Sequence, residues 1–218
     1  MTGGFSDDER QRVREALLDA GREQFARYGL AKTTVSELAD AAGIATGTFY
    51  SFFDSKERLY YDVLQERAAD GFAELTAAIE AADGPEAATR AFLQTAFAVV
   101  EDDSLLRNVV YGEERQRLLR VLDDDELAAN RRQNVSVLAP HVADWQDAGV
   151  VRDGDPETLA LAVQSVGFVV AHRDEFADDA QYEAVRDALV DIVAAGLTDT
   201  TGCEGKRPSD GEDSTSSQ

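Results

Sequence analysis

The chain has 218 residues, of which 44% are hydrophobic, and its 43 acidic and 21 basic side chains give a formal net charge of −22. This length suits one large domain or a small domain joined to a larger one, and the hydrophobic fraction is ordinary for a chain that buries a core. The sequence contains no run long enough to span a membrane, no secretory leader and one cysteine, Cys203, so we expect a cytoplasmic protein without disulfides or a cysteine metal site.

The N-terminal part of the chain predicts short helices separated by tight turns. Apolar residues at helical spacing predict a first helix over residues 7–28, ended by the glycine that follows. Thr34 and Glu37 have the spacing of a capping box at the start of a second helix. Gly43 then provides the turn, because glycine readily adopts the left-handed backbone conformation. A third helix is expected over residues 46–52.

The middle of the chain also shows helical periodicity. Asp54 and Glu57 are expected to cap a long fourth helix, and the pair Gly84-Pro85 predicts the start of a fifth, with proline in its first turn. Pro140 is expected to kink or divide a later helix.

Two strongly apolar helices are predicted near the C-terminus, over residues 156–171 and 181–195. The tail over residues 199–218 is polar and rich in glycine and serine, which predicts disorder. The sequence therefore predicts an all-α chain, with a first domain over residues 1–60, a larger helical domain over 61–198, and the tail.

Charge is distributed unevenly between these parts. Residues 1–60 carry eight Lys or Arg against ten Asp or Glu, a net charge of −2, which leaves −20 for the remainder. A near-neutral head on an acidic body is the asymmetry expected of a DNA-facing domain. The chain has three lysines, Lys32, Lys56 and Lys206, and its carboxylates are dispersed, which favours adaptation to a salt-rich cytoplasm over an ordinary acidic protein.

The segment over residues 33–60 has the pattern of a helix-turn-helix. Ala39 is small enough for a second helix to cross the first closely, and Gly43 provides the turn. Leu38 and Phe49 are among the apolar residues expected between the crossing helices. The pattern predicts a DNA-binding motif.

A longer segment, ALLDAGREQFARYGLAKTTVSELADAAGIATGTFYSFFDSKERLY from Ala16 to Tyr60, resembles the N-terminal domain of TetR-family transcriptional regulators. The matching positions are Phe25, Gly29, Thr33, Thr34, Leu38, Ala39, Ala42, Gly43, Gly47, Thr48, Tyr50, Phe53, Lys56 and Leu59. The resemblance implies a three-helix DNA-binding domain followed by an α-helical domain that binds a small ligand and dimerises. It implies a ligand-responsive regulator, expected to be a repressor, that binds near-palindromic double-stranded DNA as a homodimer.

The resemblance also assigns candidate DNA contacts. Thr33 or Thr34, Tyr50 and Lys56 would contact phosphates. The residues expected at the base edges are Ala45, Thr46, Gly47 and Thr48.

The third predicted helix, over residues 46–52, is the recognition helix of the motif, and the residues at its start depart from the family pattern. Members often have serine where Ala45 stands and a basic residue where Thr46 stands. Loss of the serine removes a helix cap worth about 1 kcal/mol, which Thr46 is expected to replace. Base reading would then rest on threonine hydroxyls, methyl contact with thymine and close approach at Gly47.

The larger domain offers candidate ligand and dimer contacts. The two apolar helices within residues 156–195 would pack against their copies, although both could instead be buried within one chain.

An apolar or amphiphilic effector is expected to bind in the larger domain. The residues that could surround it, and that could equally be plain core, are Phe72, Phe92, Phe97, Tyr111, Trp145 and Phe168.

Two other classes of function remain open at this point. A helical small-molecule enzyme would need a base or nucleophile in a pocket, and the sequence shows no Ser–His–Asp signature, metal cluster or phosphate loop, so we expect neither enzyme nor cofactor. The other alternative is a protein-binding adaptor that no longer contacts DNA, and its best support is the uncharged recognition helix. His141 and His172 lack metal-ligand spacing, so no metal site is expected.

Overall fold

A computed structural model describes residues 6–111 and 114–200, with the side chains of Tyr111 and of residues 170, 171 and 174 left out. These residues form helices and no strand, which confirms the predicted all-α fold. The predicted tail, including Cys203, lies outside the described residues from 201 onwards. The elements are α1 Asp7–Lys32, α2 Val35–Ala41, α3 Thr46–Phe49, α4 Lys56–Glu80, α5 Pro85–Asp102, α6 Ser104–Tyr111, α7 Glu114–Leu118, α8 Asp124–Ser136, α9 Ala139–Asp147, α10 Pro156–Gln164, a 3-10 segment Ser165–Glu175 and α11 Asp179–Thr198.

Several boundaries are set by the local signals that the sequence carries. Gly29 interrupts α1 with φ of 74°, where the sequence predicts the end of the first helix. Gly43 has φ of 71° in the turn between α2 and α3. Pro85 lies in the first turn of α5, and Pro140 lies in the first turn of α9, where it divides that helix from α8.

Three expected boundaries are wrong. α3 spans four residues instead of seven, its N-cap is Ala45 without a side-chain cap, and Thr46 therefore does not replace the missing serine. Ser55, rather than Asp54, caps α4: its hydroxyl accepts a hydrogen bond from the amide of Arg58 at 3.1 Å.

The third correction concerns the apolar helix expected over residues 156–171. Its α-helical part, α10, ends at Gln164 and continues as a 3-10 segment. The hydroxyl of Ser165 donates to the carbonyl oxygen of Leu161 at 2.7 Å. Such a bond to the carbonyl four residues earlier competes with the backbone ladder and bends helices.

Two apolar clusters are connected by α4. The first is formed mainly by α1–α3 and the start of α4, and α6 and α7 add Leu105 and Leu118 to it. The second lies among the end of α4 and α5, α8–α11. A boundary at residue 60 falls inside α4, so one continuous helix carries the chain from one cluster to the other.

The capping box at α2 is present as predicted. The amide of Glu37 donates to the hydroxyl of Thr34 at 3.3 Å, and the carboxylate of Glu37 accepts from the amide and the hydroxyl of Thr34 at 2.8 and 2.7 Å. The hydrogen bond from this hydroxyl, followed by that from the amide, holds the pKa of Glu37 below its ordinary value. This contribution to stability is therefore present above the unfolded-state pKa and is lost as the pH falls through the lowered folded-state pKa.

Replacing Thr34 with alanine should lower the free energy of unfolding by about 1 kcal/mol, because it removes the cap of α2. Thr46→Ala is the matched control: Thr46 is exposed and caps nothing, so its effect should stay within about 0.5 kcal/mol. Urea unfolding at neutral pH measures both. Equal losses in the two variants would contradict a capping role for Thr34.

Candidate nucleic-acid interface

The turn and α3 form an exposed, uncharged surface above a buried aromatic residue. Ala45, Thr46 and Gly47 are exposed and Thr48 is half-buried, whereas Phe49 beneath them is fully buried. The residues expected at base edges therefore lie together on one outward surface. We call this set, residues 45–48, the reading surface.

Tyr50 lies directly beside the reading surface. Its side chain is 57% exposed, and its ring meets Phe49 edge-on with centroids 5.5 Å apart. Among the residues that the structure describes, its hydroxyl makes no hydrogen bond. A rigid ring with an unengaged hydroxyl at the surface suits a phosphate contact.

The structure separates the two candidate threonines. Thr33 is 1% exposed, and its hydroxyl donates to the carbonyl oxygen of Gly29 at 2.9 Å. Thr34 is exposed at the N-terminus of α2. Of this pair, Thr34 is the one exposed enough to meet a phosphate, although its hydroxyl donates to Glu37 in this structure and would exchange that partner for the phosphate. Thr33 holds the connection between α1 and α2.

Lys56 also has an internal role. Its ammonium donates to the carbonyl oxygens of Leu30 and Thr33, each at 2.7 Å. Two of its three N–H donors therefore hold the segment between Gly29 and α2, and one remains for another acceptor. Local sequence patterns do not reveal these contacts, because the partners lie 26 and 23 residues earlier in the chain.

The cations around the reading surface are sparse. Arg58, in the first turn of α4, pairs with Glu126 and Asp62 and is therefore engaged within the protein. Arg10 was missed: its guanidinium lies 5.1 Å from the centre of the Phe52 ring and donates to the carbonyl oxygen of Ser51 at 3.2 Å. Its distance of 41 residues from Ser51 hides it from local patterns.

Far along α4 from the reading surface, the second apolar cluster contains a cavity of about 300 Å³. Four of the predicted ligand residues line it: Phe72, Phe92, Phe97 and Phe168. Trp145 does not; it packs against the cluster with its ring 5.9 Å from that of His141. The side chain of Tyr111 is outside the described part of the structure.

The cavity wall is almost entirely apolar. Its polar members are Asn134 and Gln164, which helical periodicity does not single out. The amide nitrogen of Gln164 donates to the carbonyl oxygen of Asn134, so its hydrogen bond is made within the wall. The cavity can therefore accept an apolar body but offers few polar groups to orient it.

Within residues 6–111 and 114–200, no group of three or more His, Cys, Asp or Glu side chains is arranged to hold a metal ion. His172 is exposed and lies 3.0 Å from a carboxylate oxygen of Glu175. Over the same residues, the helices are too short or too polar to cross a membrane.

Comparison with known proteins finds relatives of both the N-terminal segment and the longer chain. A family model described as bacterial regulatory proteins, tetR family, matches residues 17–63. The chain is 26% identical over 194 residues to the HTH-type transcriptional repressor KstR2 of Mycolicibacterium smegmatis, an alignment that covers 87% of this chain and 92% of the relative.

Solved structures show the same fold. A TetR-family transcriptional regulator from Pectobacterium atrosepticum matches with a TM-score of 0.73 and 21% identity, over 90% of this chain and 99% of that one. The transcriptional regulator FadR from Bacillus subtilis, solved in complex with stearoyl-CoA, matches with a TM-score of 0.61 and 18% identity, over 84% and 98%.

Proposed function

Because the chain belongs to the tetR family of bacterial regulatory proteins and is a transcriptional regulator rather than an enzyme, we propose that it is a transcriptional repressor. In this proposal it binds near-palindromic operator DNA as a homodimer and responds to a small apolar or amphiphilic effector. The observation that carries this proposal is the combination of an exposed reading surface with a separate apolar cavity in one chain. Residues 1–60 would bind DNA, and residues 61–198 would bind the effector and dimerise.

DNA contact in this proposal relies on polar groups and fit. Tyr50 and Thr34 contact phosphates, Lys56 contributes its remaining donor, and the reading surface meets the base edges. Ion-pair affinity for DNA falls steeply as salt rises, because counterion release is worth less. Neutral donors lose less, which suits a lysine-poor, acidic protein in a salt-rich cytoplasm.

The proposed dimer rests on apolar side chains exposed on the single chain. Leu161 in α10 is 50% exposed, and Ile192 in α11 is 66% exposed. A twofold pairing of these helices would bury both. It would also set two reading surfaces about 34 Å apart, or a multiple of that distance, to match two half-sites.

Replacing Tyr50 with phenylalanine should weaken operator binding about fivefold, because it removes one phosphate hydrogen bond. The loss should be similar across operator sequences, and thermal stability should stay unchanged because the hydroxyl is exposed. The measurement is a gel-shift titration on the DNA upstream of the protein's own gene, repeated over a salt series.

Tyr28→Phe is the matched control, since Tyr28 is 46% exposed in α1 and is not one of the candidate DNA contacts. Equal binding by all three proteins would show that the phosphate contact is wrongly assigned. Failure to shift any DNA at low and high salt, together with specific capture of a protein, would favour the adaptor function instead.

A further inference from the structure

The apolar cavity borders a second, more open chamber. Phe72 and Asn134 lie in the walls of both, so these two side chains stand between the two spaces, and a ligand that occupied both would pass beside them. The second chamber has a volume of about 530 Å³ and lies between α4, α6, α7 and α8. We call it the outer chamber.

The walls of the two spaces differ in chemistry. Leucines of α4, α7 and α8 form an apolar floor in the outer chamber, but Arg115 and Arg131 also line it. The cavity itself contains no charged side chain in its described wall. An elongated ligand that occupied both spaces would therefore meet apolar groups at one end and guanidinium groups at the other.

The arginines of this chain fall into two groups. Arg67, Arg90 and Arg186 are among those that pair with carboxylates. Within the described part of the chain, Arg115 and Arg131 form no ion pair. Both are exposed, as Arg117 and other arginines without an ion pair among these residues are, and their side-chain donors can bind an added anion.

The side-chain amide of Asn130 also has donors that are free to bind a ligand. The side-chain oxygen of Asn130 accepts hydrogen bonds from the hydroxyl of Tyr61 at 3.0 Å and from the amide of Gln65 at 2.8 Å. Both contacts fix the oxygen as the acceptor, which leaves the amide nitrogen as a donor. Asn130 lines the outer chamber with the two arginines, so all three offer donors there.

Resting on the ligand response proposed above, we propose that the effector is an acyl chain with an anionic end. The chain occupies the apolar cavity, and the anionic group binds Arg115 and Arg131 in the outer chamber. Guanidinium groups match the planar geometry of carboxylate and phosphate oxygens. A free carboxylate and the phosphates of a coenzyme A thioester share this chemistry.

The position of Arg115 gives this contact a consequence for DNA binding. Glu114, the preceding residue, accepts hydrogen bonds from the amide of Leu30 at 2.8 Å and from the hydroxyl of Tyr60 at 2.6 Å. An anion bound to Arg115 therefore acts on the short helix whose first residue holds the DNA-binding domain. Loss of the Glu114 contacts on ligand binding would loosen the connection that precedes α2.

The test uses the full chain and three probes: decanoate, decanoyl-coenzyme A and the uncharged decan-1-ol. Calorimetric titration should show at least one anionic probe binding about tenfold more tightly than decan-1-ol. Arg115→Gln and Arg131→Gln should each weaken the anionic probe about fivefold and leave decan-1-ol unchanged. The relative affinities of the acid and the thioester identify the source of the anionic group.

Arg117→Gln is the matched control, because Arg117 is exposed on the same short helix and does not line the outer chamber. It should bind all three probes as the parent protein does. Equal binding of acid, thioester and alcohol, unaffected by both variants, would overturn the anionic assignment while preserving an apolar effector. Binding of none of the three would overturn the effector role of the cavity as well, and the Tyr50→Phe titration still tests operator binding separately.

Discussion

Replacing Glu114 with alanine is expected to lower the free energy of unfolding by about 2 kcal/mol, because the amide of Leu30 loses its acceptor and the hydroxyl of Tyr60 keeps only a longer contact, 3.4 Å, with the carbonyl oxygen of Leu105. The hydroxyl of Tyr60 belongs to a fully buried side chain, and the amide of Leu30 is the first after Gly29. A buried donor without a partner keeps the full cost of losing water. Urea unfolding measures the change.

Operator affinity should fall in the same variant even where the protein remains folded. Glu114 holds the amide of Leu30, and Lys56 holds the carbonyl oxygens of Leu30 and Thr33. These contacts fix the segment that leads from α1 into α2 and so set where the reading surface lies. Without Glu114, several orientations of that segment become accessible, and binding DNA must select one of them.

Two controls separate the loss of the Glu114 hydrogen bonds from the general effect of removing a negative charge. Glu183→Ala removes an exposed carboxylate that has no partner in the described residues, and it should change stability by less than about 0.5 kcal/mol. Glu114→Gln keeps one acceptor oxygen and should give an intermediate loss. If Glu114→Ala unfolds at the same urea concentration as the parent protein, the contacts seen with Leu30 and Tyr60 do not stabilise the fold.

The pH dependence of the free energy of unfolding provides a second test of the contact between Tyr60 and Glu114. Burial, followed by the hydrogen bond to the Glu114 carboxylate, raises the pKa of Tyr60 far above its ordinary value. The unfolded chain ionises its tyrosines near pH 10, while folded Tyr60 stays neutral. The folded state therefore binds more protons than the unfolded state above that pH, and the free energy of unfolding falls as pH rises further. Tyr60→Phe should remove this part of the slope.

Local signals account for much of what the sequence predicts correctly. Gly29, the Thr34–Glu37 capping box and the Gly84-Pro85 pair each act through neighbouring backbone groups, so their effects can be recognised within a few residues. Apolar spacing likewise identifies Phe49 and Leu38 as buried.

The errors arise where a residue's partner is distant or where adjacent residues are chemically alike. Thr33 and Thr34 have the same side chain, and only the fold buries one and exposes the other. The contacts of Lys56 and Glu114 depend on three-dimensional proximity across tens of residues. The four aromatic cavity residues could be predicted as apolar but not distinguished from Trp145, which fills space elsewhere.

Replacing Leu161 and Ile192 together with aspartate should convert the proposed dimer into a monomer and weaken operator binding by at least about a hundredfold. Each exposed apolar side chain would become a charge facing its copy across a twofold axis, where desolvation and like-charge repulsion both oppose association. A monomer also loses the effective concentration that joins two half-site contacts. Analytical ultracentrifugation and gel-shift titration measure the two effects, and circular dichroism checks that the helices persist.

Val150→Asp is the matched control, since Val150 is 45% exposed in the loop before α10. The Val150→Asp protein should remain dimeric and bind DNA normally. A double variant that still sediments as a dimer would place the contact between copies on another surface of the molecule.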